Sequence, residues 1–329
     1  MTAATLRAAR GQCPGLADTS KPALVVSRVS ADGDPKWLEP LAHLYHLCIY
    51  DVDAQTEGST LHVPANRGHE AMAYLTFIID NYADFPPAGA VFVHGSRWAW
   101  HNDSPDYDNV ALLKTLNVSA ALQPFGYHNL RCDWSASTCA PDYGPPQGSL
   151  ETSLNARLQP WDARAVSDAA LSHAITSLFG KDDAQGIGST LLSRGDKLSA
   201  QCCAQFVVSR QRVWQHSREE YVALRQWLLD GSGGRREDAA PADDRIAGRI
   251  LSYIWHVLFL PQDSSDAPGR TIGVDLERLN ELACPRAEEC YCRLYGRCNL
   301  QGCEDGRCQG QYVVPPDFSL PRDWAATHS

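Results

Sequence analysis

Asn66–Tyr82 reads NRGHEAMAYLTFIIDNY, and Ala90–Val93 reads AVFV. In the first stretch Ala71, Tyr74, Leu75, Ile78 and Tyr82 fall at i, i+3, i+4, i+7 and i+11. That period predicts a helix over 68–82. Phe85-Pro86-Pro87 ends it, because proline cannot continue the backbone ladder. AVFV has the length of a buried strand. Working outward, Ala23–Ser27 (ALVVS) and Leu44–Tyr50 (LYHLCIY) are two further runs of strand length. Between them, Asp34-Pro35 places proline at a first helical position. Strand, helix, strand, helix, strand predicts the α/β class, a sheet with helices on its faces.

Downstream, 133–160 is rich in Ser, Pro, Gly and Asp and reads as a long irregular connection. A helix is expected over 161–179, a strand over Phe206–Ser209, and a helix over Ser217–Leu229. The last opens on a capping box, Ser217 with Glu220. GSGGRREDAAPADD at 231–244 reads as a solvated loop, and Ile246–Leu260 as a buried helix. Residues 1–22 show no periodicity and are expected as a mobile tail, followed by an α/β domain over 23–270. The remainder, 271–329, holds six of the 12 cysteines, from Cys284 to Cys308, and is expected as a small Cys-rich subdomain.

The first residues carry no apolar leader segment, and the longest apolar stretch, Ile250–Leu260, is too short for a bilayer. A cytoplasmic protein with no membrane partner is therefore expected. Its cysteines would then be thiols or metal ligands. The spacing from Cys284 to Cys308 leaves structural zinc, cross-bracing and free thiols open. The formal charge of −10 gives no global attraction for nucleic acid. DNA is not expected as a partner, and RNA would need a local patch such as Arg210, Arg212, Trp214, His216 and Arg218.

Two segments carry the candidate chemistry. Asn66-Arg67-Gly68-His69-Glu70 opens the periodic helix, where free N–H groups suit an anion or a carbonyl oxygen. Gly68 would let a ligand approach, His69 would line its site, and Glu70 would hold a guanidinium or take a proton from an amine. The bland alternative is a helix cap at Asn66. The second segment, His94-Gly95-Ser96-Arg97-Trp98 with His101, follows a predicted strand, at the end where α/β sheets bind ligands. Ser96 is a candidate nucleophile with His94 or His101 as base; a Trp/His loop packed on the sheet is the alternative. Asp51-Val52-Asp53 would suit a divalent cation and a nucleotide-sugar glycosyltransferase, or is a solvated turn.

Eight segments in order, among them Asn66–Tyr82, VFVHG at Val91–Gly95, GYHNLRCDW at Gly126–Trp134, CCAQFVVSR at Cys202–Arg210 and GRILSYIWHVLF at Gly248–Phe259, resemble one fungal family of unknown-function domains. Some of its members are arginine-containing cyclodipeptide synthases. The resemblance implies a Rossmann-like or glycosyltransferase-like sheet. It also implies a transferase that condenses arginyl-tRNA with a second aminoacyl-tRNA to a diketopiperazine, with no cofactor. Arg28, Tyr74, Asn129 and Arg131 lie in matching segments and join Asn66, Gly68 and His69 as substrate-binding candidates. His69 stands where many members have arginine, and Ser252 where many have glutamate. A metal-dependent glycosyltransferase and a non-enzymatic Cys-rich interaction module are the rival readings.

Overall fold

The computed structural model describes residues 11–53, 61–179, 195–234, 238–261 and 276–312. Its centre is a six-stranded sheet built from β1 (Ala23–Arg28), β2 (His46–Asp51), β3 (Leu61–His62), β4 (Ala90–His94), β5 (Tyr127–Asn129) and β6 (Phe206–Val208). The order is β3-β2-β1-β4-β6-β5. β1 pairs in parallel with β2 and β4, and β2 with β3; β6 pairs antiparallel with β4 and β5. The chain is thus mixed α/β with a mostly parallel sheet, as the strand–helix alternation requires.

Side chains alternate across a strand, so each strand feeds two cores. Ala23, Val25, Ala90, Phe92, Phe206 and Val208 face one. Leu24, Val26, Val91, Val93 and Val207 face the other. Both faces are covered, which is why these strands read as continuous apolar runs.

The first core is closed by α1 (Glu70–Asp80), α2 (Arg218–Asp230) and α3 (Asp244–Ser252). α1 sits inside this layer, with every residue from Ala71 to Ile79 buried. α2 has the expected capping box of Ser217 and Glu220. The predicted helix over 246–260 is instead two, α3 and Trp255–Phe259, broken at Tyr253 and Ile254. The second core is closed by the 3-10 helix Pro35–Leu41, the helix Asn109–Thr115 and the helix Ala287–Tyr295. The connection over 133–160 contains a helix, Leu150–Leu158, which the Ser/Pro/Gly composition hid.

Ten of the twelve cysteines pair across the chain, as Cys13–Cys48, Cys132–Cys290, Cys139–Cys284, Cys292–Cys298 and Cys303–Cys308, and the other two, Cys202 and Cys203, are adjacent in the sequence. This corrects the thiol expectation. It also leaves no thiolate for zinc at Cys284–Cys308, since a bonded sulfur cannot ligate as a thiolate. The C-terminal segment shares a core with the sheet and is tied to residues 132 and 139 by two of these bonds. Residues 11–18, expected in the tail, pack down too: Cys13 bonds to Cys48, and Leu16 is buried. Among the described residues, no helix is long and apolar enough to cross a membrane.

Candidate active site

Because β1, β2 and β4 run the same way, their C-terminal ends share one edge of the sheet. A cavity of about 660 Å³ opens there, beside the end of β4. His94 and His101 come from β4 and the loop after it, and His69 and Glu70 from the start of α1. Gln201, Cys202 and Cys203, on the approach to β6, form a third wall. Tyr143, Trp161 and Arg164, with Arg245, Arg249 and Tyr253, complete the lining.

His94 has an assigned direction. Its Nε2 lies 2.7 Å from the Cys203 carbonyl oxygen, which can only accept, so Nε2 carries the hydrogen. In the neutral ring Nδ1 then keeps its lone pair, 3.9 Å from Glu70 Oε2. That gap is too long for a direct hydrogen bond and wide enough for a group between them. Glu70 sits at the positive end of α1, where a carboxylate is favoured, and its side chain is only 11% exposed.

His101 stacks on His94 with ring centroids 4.5 Å apart, and Trp100 packs on His101 at 4.1 Å. Burial, with His94 and Arg131 nearby, holds His101 down at about 3. Burial therefore keeps His101 neutral beside His94. Arg131 donates to the carbonyls of Trp100 and His101 and so positions this pair from behind.

Arg164 lies over the Tyr143 ring at 3.9 Å and donates to its hydroxyl. Arg245 pairs with Asp243 on the surface. His69 Nε2 is 3.9 Å from Asp244 Oδ2. Gln201 is buried, donates to the Cys132 carbonyl, and has an Oε1 without a partner.

The structure thus brings Glu70, His69, His94 and His101 together and places the other candidates elsewhere. Tyr74 is fully buried in the core among Phe92, Phe206 and Trp255, so it lines nothing. Gly68 packs under Leu228, with its N–H donated to Asp244, and offers no approach to a ligand. Asn66 is exposed and does not cap the helix; His69 holds the cap position, without a side-chain cap bond. Ser96 donates to the Trp98 carbonyl and is not on the cavity wall, which removes the basis for a Ser96 nucleophile. Arg28 is paired with Asp51. Asn129 accepts from the Arg131 backbone.

Asp53 binds the Ser30 N–H and hydroxyl, which hold its carboxyl below the ordinary range. With Asp51 on Arg28 and Asp53 on Ser30, the two carboxylates serve separate partners rather than one cation. The basic stretch is likewise engaged inward. Arg212, Trp214 and Arg218 donate to the carbonyls of Phe125, Tyr82 and Ile79.

Sequence reasoning passes over Gln201, the adjacent cysteines, Arg164, Arg245 and Arg249. A Cys-Cys doublet just before a strand was the available signal for the third wall. No local pattern marks the arginines, which reach the cavity from helices distant in sequence.

No curated protein and no solved structure matches this chain. One family model does, over residues 24–293, and its description is a protein of unknown function. It carries no link to cyclodipeptide synthases, so the expected membership of a synthase-containing family is corrected to that description. Since the match spans most of the sequence, the chain belongs to the family described as Protein of unknown function (DUF3431).

Proposed function

We propose that this chain is a transferase that activates an amine. The carrying observation is the His94 tautomer, with a bare Nδ1 directed at a sheltered carboxylate 3.9 Å away. A cationic amine or guanidinium docks on Glu70, the only kind of partner that offsets a buried carboxylate with both charge and hydrogen bonds. His94 Nδ1 receives the amine proton, and Glu70 stabilises the imidazolium that forms. His101, held neutral, adds no competing positive charge to the pair.

The arginines on the cavity lining support an anionic second substrate. Arg164, Arg245 and Arg249 face the cavity beside Trp161 and Tyr143. Arg164, lying over the Tyr143 ring, with Arg249 on the same lining, suits a phosphate-bearing donor. The finer fold class belongs to this proposal: the β3-β2-β1-β4 run, with a cavity at its C-terminal edge, supports a Rossmann-like or glycosyltransferase-like sheet. Five cystine bonds support folding in an oxidising compartment rather than the cytoplasm. That favours a nucleotide-activated donor over an aminoacyl ester on RNA.

The test is expression in a microbial host, with metabolites of wild type and His94→Asn compared by mass spectrometry. A new N-substituted amine, absent with H94N, is the expected result. Identical metabolite profiles would remove His94 from catalysis. In lysate, RNase sensitivity would indicate an RNA-borne donor, and RNase resistance a nucleotide-activated one.

A further inference from the structure

The helix Leu150–Leu158 presents its apolar side chains outward. Its one buried residue is Thr152, whose hydroxyl donates to the Pro146 carbonyl. Leu150, Leu154 and Leu158 recur every four residues, so they form one stripe, on the side away from Thr152. They are 61%, 56% and 70% exposed, and Trp161, three residues past the helix, is 77% exposed. Among the described residues these are four of the eight large apolar side chains left in water. Clustered exposure of this kind marks a contact surface, whereas single exposed leucines need no explanation.

Trp161 also belongs to the cavity lining, so the stripe runs up to the cavity mouth. The cations at that end lack carboxylate partners. Arg28, Arg67, Arg97 and Arg131 each pair with an aspartate. Arg164 instead donates to the Tyr143 hydroxyl, and among the described residues Arg157, Arg164 and Arg249 form no ion pair. Asp162, the acid beside Trp161, accepts from the backbone N–H groups of Arg164 and Ala165 as a helix cap. Glu151 stands at the opposite end of the stripe.

We propose that this stripe docks on an anionic lipid surface, with the three leucines and Trp161 in the headgroup–acyl boundary and Arg157 and Arg164 on lipid phosphates. Leucine gains by leaving water, and an indole suits a boundary where its ring is apolar and its N–H wet. A stripe one helix wide falls short of the roughly 800 Å² per partner that a stable protein contact buries, so a second copy is the poorer occupant. Lipid phosphates also satisfy the unpaired guanidiniums, which a neutral apolar partner leaves bare. The net charge of −10 opposes the approach, but at 0.1 M salt that repulsion is screened beyond about 10 Å. With Trp161 in both surfaces, the cavity mouth opens at the lipid. This goes beyond the amine-activation reading and does not depend on it.

The full chain is sedimented with vesicles of phosphatidylcholine alone and of phosphatidylcholine mixed with phosphatidylglycerol. Stronger binding to the mixed vesicles is expected. Leu154→Glu/Leu158→Glu changes only exposed side chains and should weaken binding by about tenfold or more. Arg157→Gln should weaken it about fivefold, the effect of one basic residue at an anionic surface. Leu44→Glu, at an exposed leucine outside the stripe, should match wild type. Brominated lipid should quench the tryptophan fluorescence of wild type, and less that of Trp161→Phe.

Failure to sediment with the mixed vesicles overturns the inference, as does equal binding to the two vesicle types. So does unchanged binding by folded Leu154→Glu/Leu158→Glu. If that variant does not fold, wild-type fluorescence that brominated lipid leaves unquenched overturns it equally. Light scattering that finds a dimer, split by the same substitutions, would assign the stripe to a second copy and overturn the lipid assignment. A chain that binds the mixed vesicles yet yields no N-substituted amine counts against the transferase reading alone.

Discussion

Glu70 Oε2 and His94 Nδ1 face each other across 3.9 Å, one at the start of a helix and the other at the end of a strand. Neither residue is shifted there by its own local sequence. The helix start and the strand end meet because α1 leaves that edge, packs along the sheet, and β4 returns the chain to it. The gap between the two atoms suits one bridging N–H or water. Glu70→Gln keeps the shape and removes the charge. Methylguanidine affinity should fall by about 1.5–3 kcal/mol, the worth of a hydrogen bond to a charged group. Titration calorimetry checks this, and an unchanged dissociation constant would place the cation elsewhere.

Two glycines near the site should respond differently to alanine. Gly68 has φ +72°, and an added Cβ would lie 2.8 Å from Leu228 Cδ1. Gly68→Ala should cost about 1–3 kcal/mol of stability, from backbone strain and overpacking. At Gly248 the added Cβ would lie 2.6 Å from the ring of His69, which is 51% exposed and free to swing outward. Gly248→Ala should therefore cost less than about 1 kcal/mol, since alanine is also the better helix former. Urea midpoints decide whether the order holds.

Stability should decline on mild acidification. Burial holds His101 and His256 at about 3 and His128 at about 4, below the ordinary 6.5. Below 6.5 the unfolded chain binds protons that the native chain refuses. The stabilisation is therefore full above 6.5 and is lost as pH falls toward about 4 for His128 and about 3 for His101 and His256. Each histidine contributes a limiting slope of about 1.4 kcal/mol per pH unit. Urea unfolding at about pH 7 and about pH 5 measures it, and His256→Leu should flatten the dependence.

Cys132–Cys290 joins the loop after β5 to the helix Ala287–Tyr295 across 158 residues. Closing so long a loop restricts the unfolded chain, so Cys132→Ala/Cys290→Ala should lose about 2–5 kcal/mol. Denaturant unfolding of the double variant tests this. Equal stability would mean the second core holds the C-terminal segment without the bond.

The local patterns of the sequence were enough for β1, β2, β4, β6, α1 and the α2 capping box, because a strand buried on both faces and an amphipathic or capped helix advertise themselves within a few residues. They were also enough to mark Glu70, His94 and His101, which sit at element ends where side chains are free to face a ligand. Tyr74 shows the limit. A helix buried all round has no solvent face, so periodicity cannot separate core from lining. Only tertiary structure decided the cystine pairing, because Cys132–Cys290 and Cys139–Cys284 join residues that no spacing rule connects. The arginine lining was decided the same way. Arg164, Arg245 and Arg249 meet the histidines only through helix packing, a long-range event that leaves no local mark on composition or period.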